Sequence, residues 1–232
     1  MGAPGSFFNR IFPRDGLHLV HSNYAVHWIS QVPSSIYDEV GSSMNKGNIT
    51  VSEASPPSVV KAFRAQFQQD LRLFLKCRSN EVVTNGHMIL AVLGTSSMEP
   101  RLHWSTKVLS QAITNLVSKG LITKEKAHSF AMPLHFPSKE EVQKIVIEEG
   151  SFTIEKIETI VEDAASEVKD VEVRAEAISK AIRAGNEVLV SHHFGDQVWF
   201  DLYPELKQAI LLHLKNEPVE MFNIIFMLKK IV

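Results

Sequence analysis

Cysteine, basic charge and long apolar runs are all scarce in this chain of 232 residues. The single cysteine, Cys77, excludes an intramolecular disulfide and is typical of a reducing compartment, so a cytoplasmic location is expected. A net charge of −2 lacks the basic excess that nucleic acids and anionic membranes attract. No stretch approaches the ~18 apolar residues of a membrane span. The remaining expectation is a globular protein, and 44% hydrophobic residues suffice for its core.

The first half of the chain shows strand and helix patterns in alternation. The apolar run Leu17–Val20 predicts a buried strand, and 24–30 reads as a turn followed by a helix. Ser55 before two prolines predicts a capped start for a long helix, whose apolar stripe continues to Leu75. Asn85-Gly86 predicts a turn, followed by a buried strand over 87–93.

The second half adds further helices and two strands. Ser138 to Glu141 forms a capping box, and Gly150 predicts the end of the helix that it opens. Helical patterns cover 108–121, 168–190 and 198–214, and strands are predicted at 152–161 and 221–228. Four strands among helices predict an α/β fold with a mostly helical cap. The predicted segments are core at 1–95, cap at 96–135, core at 136–162, cap at 163–215, and a final core strand at 216–232.

The most informative stretch is 21–33, which places Tyr24, His27 and Trp28 within five residues of a predicted strand. Aromatic rings with neutral hydrogen-bond donors can hold a small carboxylate without a strong counter-charge. The alternative is that these rings only pack the junction after the strand, as aromatic side chains often do. Gly5-Ser6-Phe7 upstream and Asn45-Lys46-Gly47 downstream accompany this stretch.

Together these motifs resemble the plant SABATH family of S-adenosylmethionine (SAM)-dependent methyltransferases. Members methylate small carboxylic acids and, in the caffeine branch, ring nitrogens. The resemblance runs in order from Gly5 to Leu228 and implies a Rossmann-like sheet of which this chain supplies the last four strands. The family's N-terminal strands, with the glycine-rich turn that binds part of the cofactor, have no counterpart here.

The resemblance assigns roles to six residues near the site. It implies that the Trp28 indole N–H binds the carboxylate, with Tyr24 and His27 shaping the pocket. It also places Ser6 and Phe7 against the adenine of SAM, with Asn23 nearby. A carboxylate is already ionised at neutral pH, so we expect catalysis by positioning and water exclusion, without a general base.

A magnesium site is also part of the family pattern. Asn45 and the carbonyl of Phe130 match two of its ligands. His128 and Ala131, however, stand where the family has a carboxylate and an amide. Because Mg²⁺ requires oxygen ligands in an octahedron, we expect little or no magnesium binding.

Two interpretations remain open from the sequence. The first is an enzyme that methylates the carboxylate of a small plant acid, with a homodimer expected from the family. The second is an N-terminally truncated, non-catalytic paralogue that acts only as a folded or partner-dependent fragment. In either case Leu17–Val20 would form an unpaired apolar edge, which favours aggregation unless it is covered.

Overall fold

The computed structural model describes residues 4–45, 47–99 and 102–231. In these ranges a sheet of four strands combines with six α-helices and a short 3₁₀ helix. Their bounds in chain order are β1 Leu17–Asn23, 3₁₀ Ser34–Ile36, α1 Pro57–Glu81, β2 Val82–Leu93, α2 Trp104–Ser118, α3 Lys124–His128, α4 Lys139–Glu149, β3 Phe152–Asp163, α5 Val171–Phe194, α6 Val198–Asn216 and β4 Glu220–Lys230.

The sheet has the order β1-β2-β4-β3 and confirms the predicted α/β class. β1 and β2 are parallel, whereas β4 is antiparallel to both β2 and β3. The long helix α1 provides the crossover that a parallel β1–β2 pair requires. No helix in the described ranges has both the length and the apolar character needed to cross a bilayer.

The apolar residues form two clusters. The first lies between the sheet and helices α1 and α4, around fully buried Phe63, Phe67 and Phe226. The second joins α2, α5 and α6 with the segment 130–134. The segment boundaries predicted from the sequence stay a prediction.

The Ser138 cap and the glycine stop of α4 are confirmed, whereas the Glu141 carboxylate binds His135 rather than the Ser138 N–H that a capping box requires. The Ser138 hydroxyl accepts the Glu141 N–H, and Gly150 ends the helix at φ +80°. The predicted cap of α1 is wrong, because Pro56 takes the N-cap position. The Ser55 hydroxyl instead donates to the side chain of Asn45 at 2.6 Å, which closes the preceding loop.

The burial predicted for β1 is also wrong, since none of its residues is buried and Leu19 is 59% exposed. β1 lies at an edge of the sheet and pairs only with β2 among the described strands.

The helix predicted over 24–30 is absent from the structure. The Tyr24 N–H donates to the Ala91 carbonyl, and the Ile29 N–H donates to the Pro133 carbonyl. These backbone hydrogen bonds of the loop are therefore made to neighbouring segments and not within a helix.

Asn85-Gly86 lies inside β2 rather than in a turn before it. Asn85 has φ +63°, and the pairing with β1 shifts register at this point. A Cβ at Gly86 would approach a Val82 methyl carbon to 2.6 Å, so only glycine fits this bulge. The dipeptide therefore distorts a strand that already begins at Val82.

Candidate functional site

The segment that follows β1 separates two cavities. One cavity, of ≈320 Å³, is lined by residues of β1, by α1 and by the segment 7–12 that precedes β1; we call it the Phe7 cavity. The other, of ≈330 Å³, is lined by the loop after β1, the start of α2 and the middle of α5; we call it the His27 cavity. Both volumes lie at the lower end of the range for small-molecule sites.

The His27 cavity has mostly aromatic and aliphatic walls. His27, Trp28, His103, Trp104 and Phe136 form its aromatic side. The His27 and Phe136 rings stack at 6.1 Å between centroids, and His103 stacks on Phe136 at 4.5 Å. Small and apolar residues complete the wall: Leu93, Leu134, Ala164, Ala165, Ala177, Ile178, Ala181, Ile182 and Met221. Among the residues that the structure describes, no lysine, arginine or carboxylate lines this cavity.

Backbone contacts fix the loop that carries His27 and Trp28. The His27 carbonyl accepts the N–H of His135 at 2.9 Å, and Trp28 forms a β-bridge with Leu134. Ser30 donates both its N–H and its hydroxyl to the carboxylate of Asp70, at 2.7 and 2.8 Å. This loop is therefore ordered by residues far from it in the sequence.

Both histidines of the cavity are neutral at physiological pH. Burial lowers the pKa of His27 to about 4. Burial, and secondarily the neighbouring His27, lowers the pKa of His103 to about 4. His103 caps α2 by accepting the Ser105 N–H at Nδ1, so its remaining proton must lie on Nε2.

Three buried polar atoms of the residues that line this cavity lack a hydrogen-bond partner within the described ranges. They are Nδ1 of His27, Nε2 of His103 and Oδ1 of Asn186. Native proteins leave few buried polar groups unpaired, because each costs about 1–3 kcal/mol. All three atoms belong to side chains that border the same cavity.

The indole groups of the cavity differ in their availability. Trp104 donates its N–H to the Glu220 carbonyl at 2.9 Å, whereas the Trp28 N–H has no partner in the part of the chain that the structure describes.

Tyr24 lies outside the cavity lining, and its hydroxyl donates to Asn223 at 2.9 Å. Burial raises the pKa of Tyr24, with Glu162 adding to the shift, so its phenol stays protonated.

The structure brings two of the three predicted cofactor residues to the Phe7 cavity. Phe7 and Asn23 line it, whereas Ser6 is exposed beside Phe7 and is not part of the lining. The Phe7 ring packs on Phe74 of α1 at 6.1 Å, edge to face. Aromatic and aliphatic walls of this kind suit the adenine of SAM, so the residues present fit that part of the cofactor.

The predicted metal ligands do not fit magnesium. The Asn45 amide donates to the carbonyls of Asn48 and Thr50, and its oxygen accepts from Ser55. The neighbouring segment does approach this turn, since the Ser43 N–H donates to the His128 carbonyl at 3.3 Å. Ala131 supplies no side-chain ligand next to Phe130, and no group of three or more His, Cys, Asp or Glu within the described ranges could hold a metal.

Among the aromatic and polar residues of the His27 cavity, the sequence analysis missed His103, Trp104, Ser105, Phe136 and Asn186. A signal for His103 existed, because His103-Trp104 repeats the dipeptide His27-Trp28. Nothing in the local pattern marked Asn186, which lies within α5.

Comparison with known proteins agrees with this architecture. A 7-methylxanthine methyltransferase of Camellia ptilophylla is 42% identical over 236 residues, and caffeine synthase 1 of Camellia crassicolumna is 41% identical over 235 residues. Each match covers 100% of this chain, but the chain spans only 65% and 64% of the length of these relatives.

The fold matches that of a loganic acid methyltransferase solved with S-adenosylhomocysteine (SAH), with a TM-score of 0.88 and 31% identity. That match covers 100% of this chain and 66% of the solved one. A family model described as SAM dependent carboxyl methyltransferase matches residues 1–231 and confirms the resemblance to the SABATH enzymes. The chain therefore belongs to the SAM-dependent carboxyl methyltransferase family.

Proposed function

We propose that this chain binds SAM and a small, largely apolar acid, and that the acid is methylated on its carboxylate. The observation that carries the proposal is the His27 cavity, an apolar and aromatic space whose lining includes the neutral side chains of His27, His103 and Asn186. When bound, SAM supplies a methyl group activated by the neighbouring sulfonium. The chain's own residues then have to orient the acceptor and exclude water from it.

Neutral donors suit a carboxylate nucleophile. The Trp28 indole N–H and the Nε2–H of His103 can each donate to a carboxylate oxygen. No lysine or arginine is among the described residues that line the cavity, so none of these would hold the carboxylate tightly and lower its reactivity. The aromatic walls remove water from the acceptor, which makes the ionised oxygen a better nucleophile.

The Phe7 cavity is the proposed place of the adenine end of SAM. Phe7 supplies an aromatic face, Asn23 ends β1 beside it, and the Ser6 hydroxyl is accessible next to Phe7. The cavity extends along β1 from Leu17 to Asn23, and its Asn23 end is the carboxyl end of a parallel strand, where ligands of α/β sheets generally bind. The segment 24–30 would then lie between the cofactor and the acceptor.

A second acceptor, a ring nitrogen of a xanthine-like heterocycle, is favoured by one specific observation. The buried Oδ1 of Asn186 needs a hydrogen-bond donor, which a simple carboxylate lacks and a heterocyclic N–H supplies. The similar 7-methylxanthine methyltransferase is named for such an acceptor.

A mass-spectrometric screen with the complete chain and SAM tests both acceptors. Benzoate and salicylate represent small acids, and 7-methylxanthine and theobromine represent heterocycles. We expect methyl esters from the acids, formed less efficiently by W28F and at the wild-type level by W199F, since Trp199 does not line the His27 cavity. N-methylated products that disappear in N186L would establish the heterocycle instead. A folded chain that binds SAH but methylates neither class would contradict the proposal and favour a non-catalytic paralogue.

A further inference from the structure

Helix α1 buries three charged side chains among its apolar residues: Asp70, Arg78 and Glu81, exposed by 4%, 4% and 0%. Buried charges are costly unless they are paired and hydrogen-bonded. Each of the three binds a segment that forms part of the site.

Arg78 binds the segment before β1. Its Nη1 donates to the Phe7 carbonyl at 2.9 Å, and its Nη2 donates to the Asn9 carbonyl at 2.7 Å. Its Nε lies 2.6 Å from a carboxylate oxygen of Glu81. Although Arg78 lines the Phe7 cavity, its nitrogens are therefore occupied by protein atoms.

Glu81 completes this arrangement from the next turn of α1. One carboxylate oxygen accepts the N–H groups of Ile11 and Phe12 as well as an Arg78 Nη2–H. Together the two side chains bind both donors and acceptors of the segment 7–12, and we call them the Arg78–Glu81 clamp.

Asp70 binds the loop after β1 in the same manner. It accepts the N–H and the hydroxyl of Ser30, and Gln66 of the same helix donates to both Asp70 and Ser30. Ser30 follows Trp28 by two residues. We call this pair the Asp70–Ser30 clamp.

We propose that α1 sets the positions of the two ligand-binding segments relative to each other through these clamps. The inference rests on the proposed function of the two cavities. Asp70 and Arg78 are eight residues apart, or about 12 Å along the helix axis, and a packed α-helix hardly changes that spacing. Methyl transfer needs donor and acceptor in line, so a fixed spacing between their binding segments contributes directly to alignment. The clamp residues are positioning residues that act through Phe7 and through Trp28.

Three variants of the complete chain test the inference. R78M/E81L replaces the buried ion pair with an apolar pair, a change that often preserves stability. D70N keeps the shape of Asp70 but removes one acceptor. R72M, which breaks only the exposed ion pair between Arg72 of the same helix and Glu148 of α4, is the matched control.

Hydrogen exchange and SAH titration are the two measurements. In R78M/E81L we expect the amides of Ile11 and Phe12 to exchange at least tenfold faster, and SAH to bind at least tenfold more weakly. In D70N we expect faster exchange only at Ser30, with SAH affinity within twofold of wild type. R72M should change neither quantity.

Several outcomes would overturn the inference. One is a folded R78M/E81L chain in which the amides of residues 11 and 12 exchange at the wild-type rate, and another is wild-type SAH affinity despite faster exchange.

If this double variant does not fold, R78K tests the clamp instead, because a compact ammonium cannot bridge the two carbonyls as the guanidinium fork does. R78K should weaken SAH severalfold, and unchanged affinity would contradict the clamp. Absence of SAH binding by wild type would overturn the proposed function, while the exchange data would still decide whether the clamps order their segments.

Discussion

Acidification from pH 8 to pH 5 should destabilise this protein, and His27 should account for about 2 kcal/mol of the loss. Its side chain is 5% exposed, and burial lowers its pKa from 6.5 to about 4. Between pH 4 and 6.5 the unfolded chain therefore binds a proton that the folded chain does not. The free energy of unfolding therefore keeps its full value above pH 6.5, the pKa of His27 in the unfolded chain, and decreases as the pH drops through this window.

The magnitude follows from the two pKa values. One pKa unit corresponds to about 1.4 kcal/mol, so the difference reaches about 3 kcal/mol below pH 4. The linkage relation gives about 2 kcal/mol at pH 5. The lowered pKa of His103 adds a loss of the same sign.

Urea unfolding of wild type and H27F at pH 8 and pH 5 measures this contribution. Phenylalanine keeps an aromatic ring against Phe136 but carries no titratable group. We expect H27F to lose about 2 kcal/mol less than wild type between the two pH values. H192Q, which changes an exposed histidine of α5, should behave as wild type. An equal loss in wild type and H27F would refute the assignment of a buried neutral imidazole.

Three further predictions concern the cavity wall, a close backbone approach and the sheet edge. W28F should raise the acceptor KM about tenfold in a turnover assay, because a hydrogen bond to a charged group contributes about 1.5–3 kcal/mol; unchanged KM would exclude the indole as a ligand. G94A should lower stability by about 1–3 kcal/mol in urea unfolding, since its Cβ would lie 2.4 Å from the Pro137 carbonyl oxygen; an unchanged midpoint would contradict this packing. L19K should reduce self-association in light scattering at increasing protein concentration, because Leu19 is 59% exposed on the edge strand β1; equal association would show that this edge is not the contact.

Elements set by local chemistry could be predicted from the sequence. The cap and the stop of α4 depend only on Ser138 and Gly150 and on the backbone next to them. Likewise, the apolar stripe of α1 follows from helical spacing and became the largest part of one core cluster. His27 and Trp28, which the family motifs grouped together, line one cavity, and Phe7 and Asn23 line another.

Features that depend on distant contacts could not be predicted. The loop 24–30 has no helix because its N–H groups find acceptors on β2 and at Pro133. The exposure of β1 depends on which strands lie beside it, which its own apolar residues do not reveal. His103 and Asn186 reach the cavity only through the packing of α2 and α5. The roles proposed for all site residues, like the homodimer and the cytoplasmic location, stay predictions.

The most direct test of the account is calorimetric titration of the complete, folded chain with SAH. The account predicts saturable binding with a micromolar Kd and a stoichiometry of one, weakened when Phe7 is changed to alanine. A chain that is folded by circular dichroism but releases no heat with SAH, under conditions where a full-length relative does, would contradict the claim that these residues bind the methyl donor.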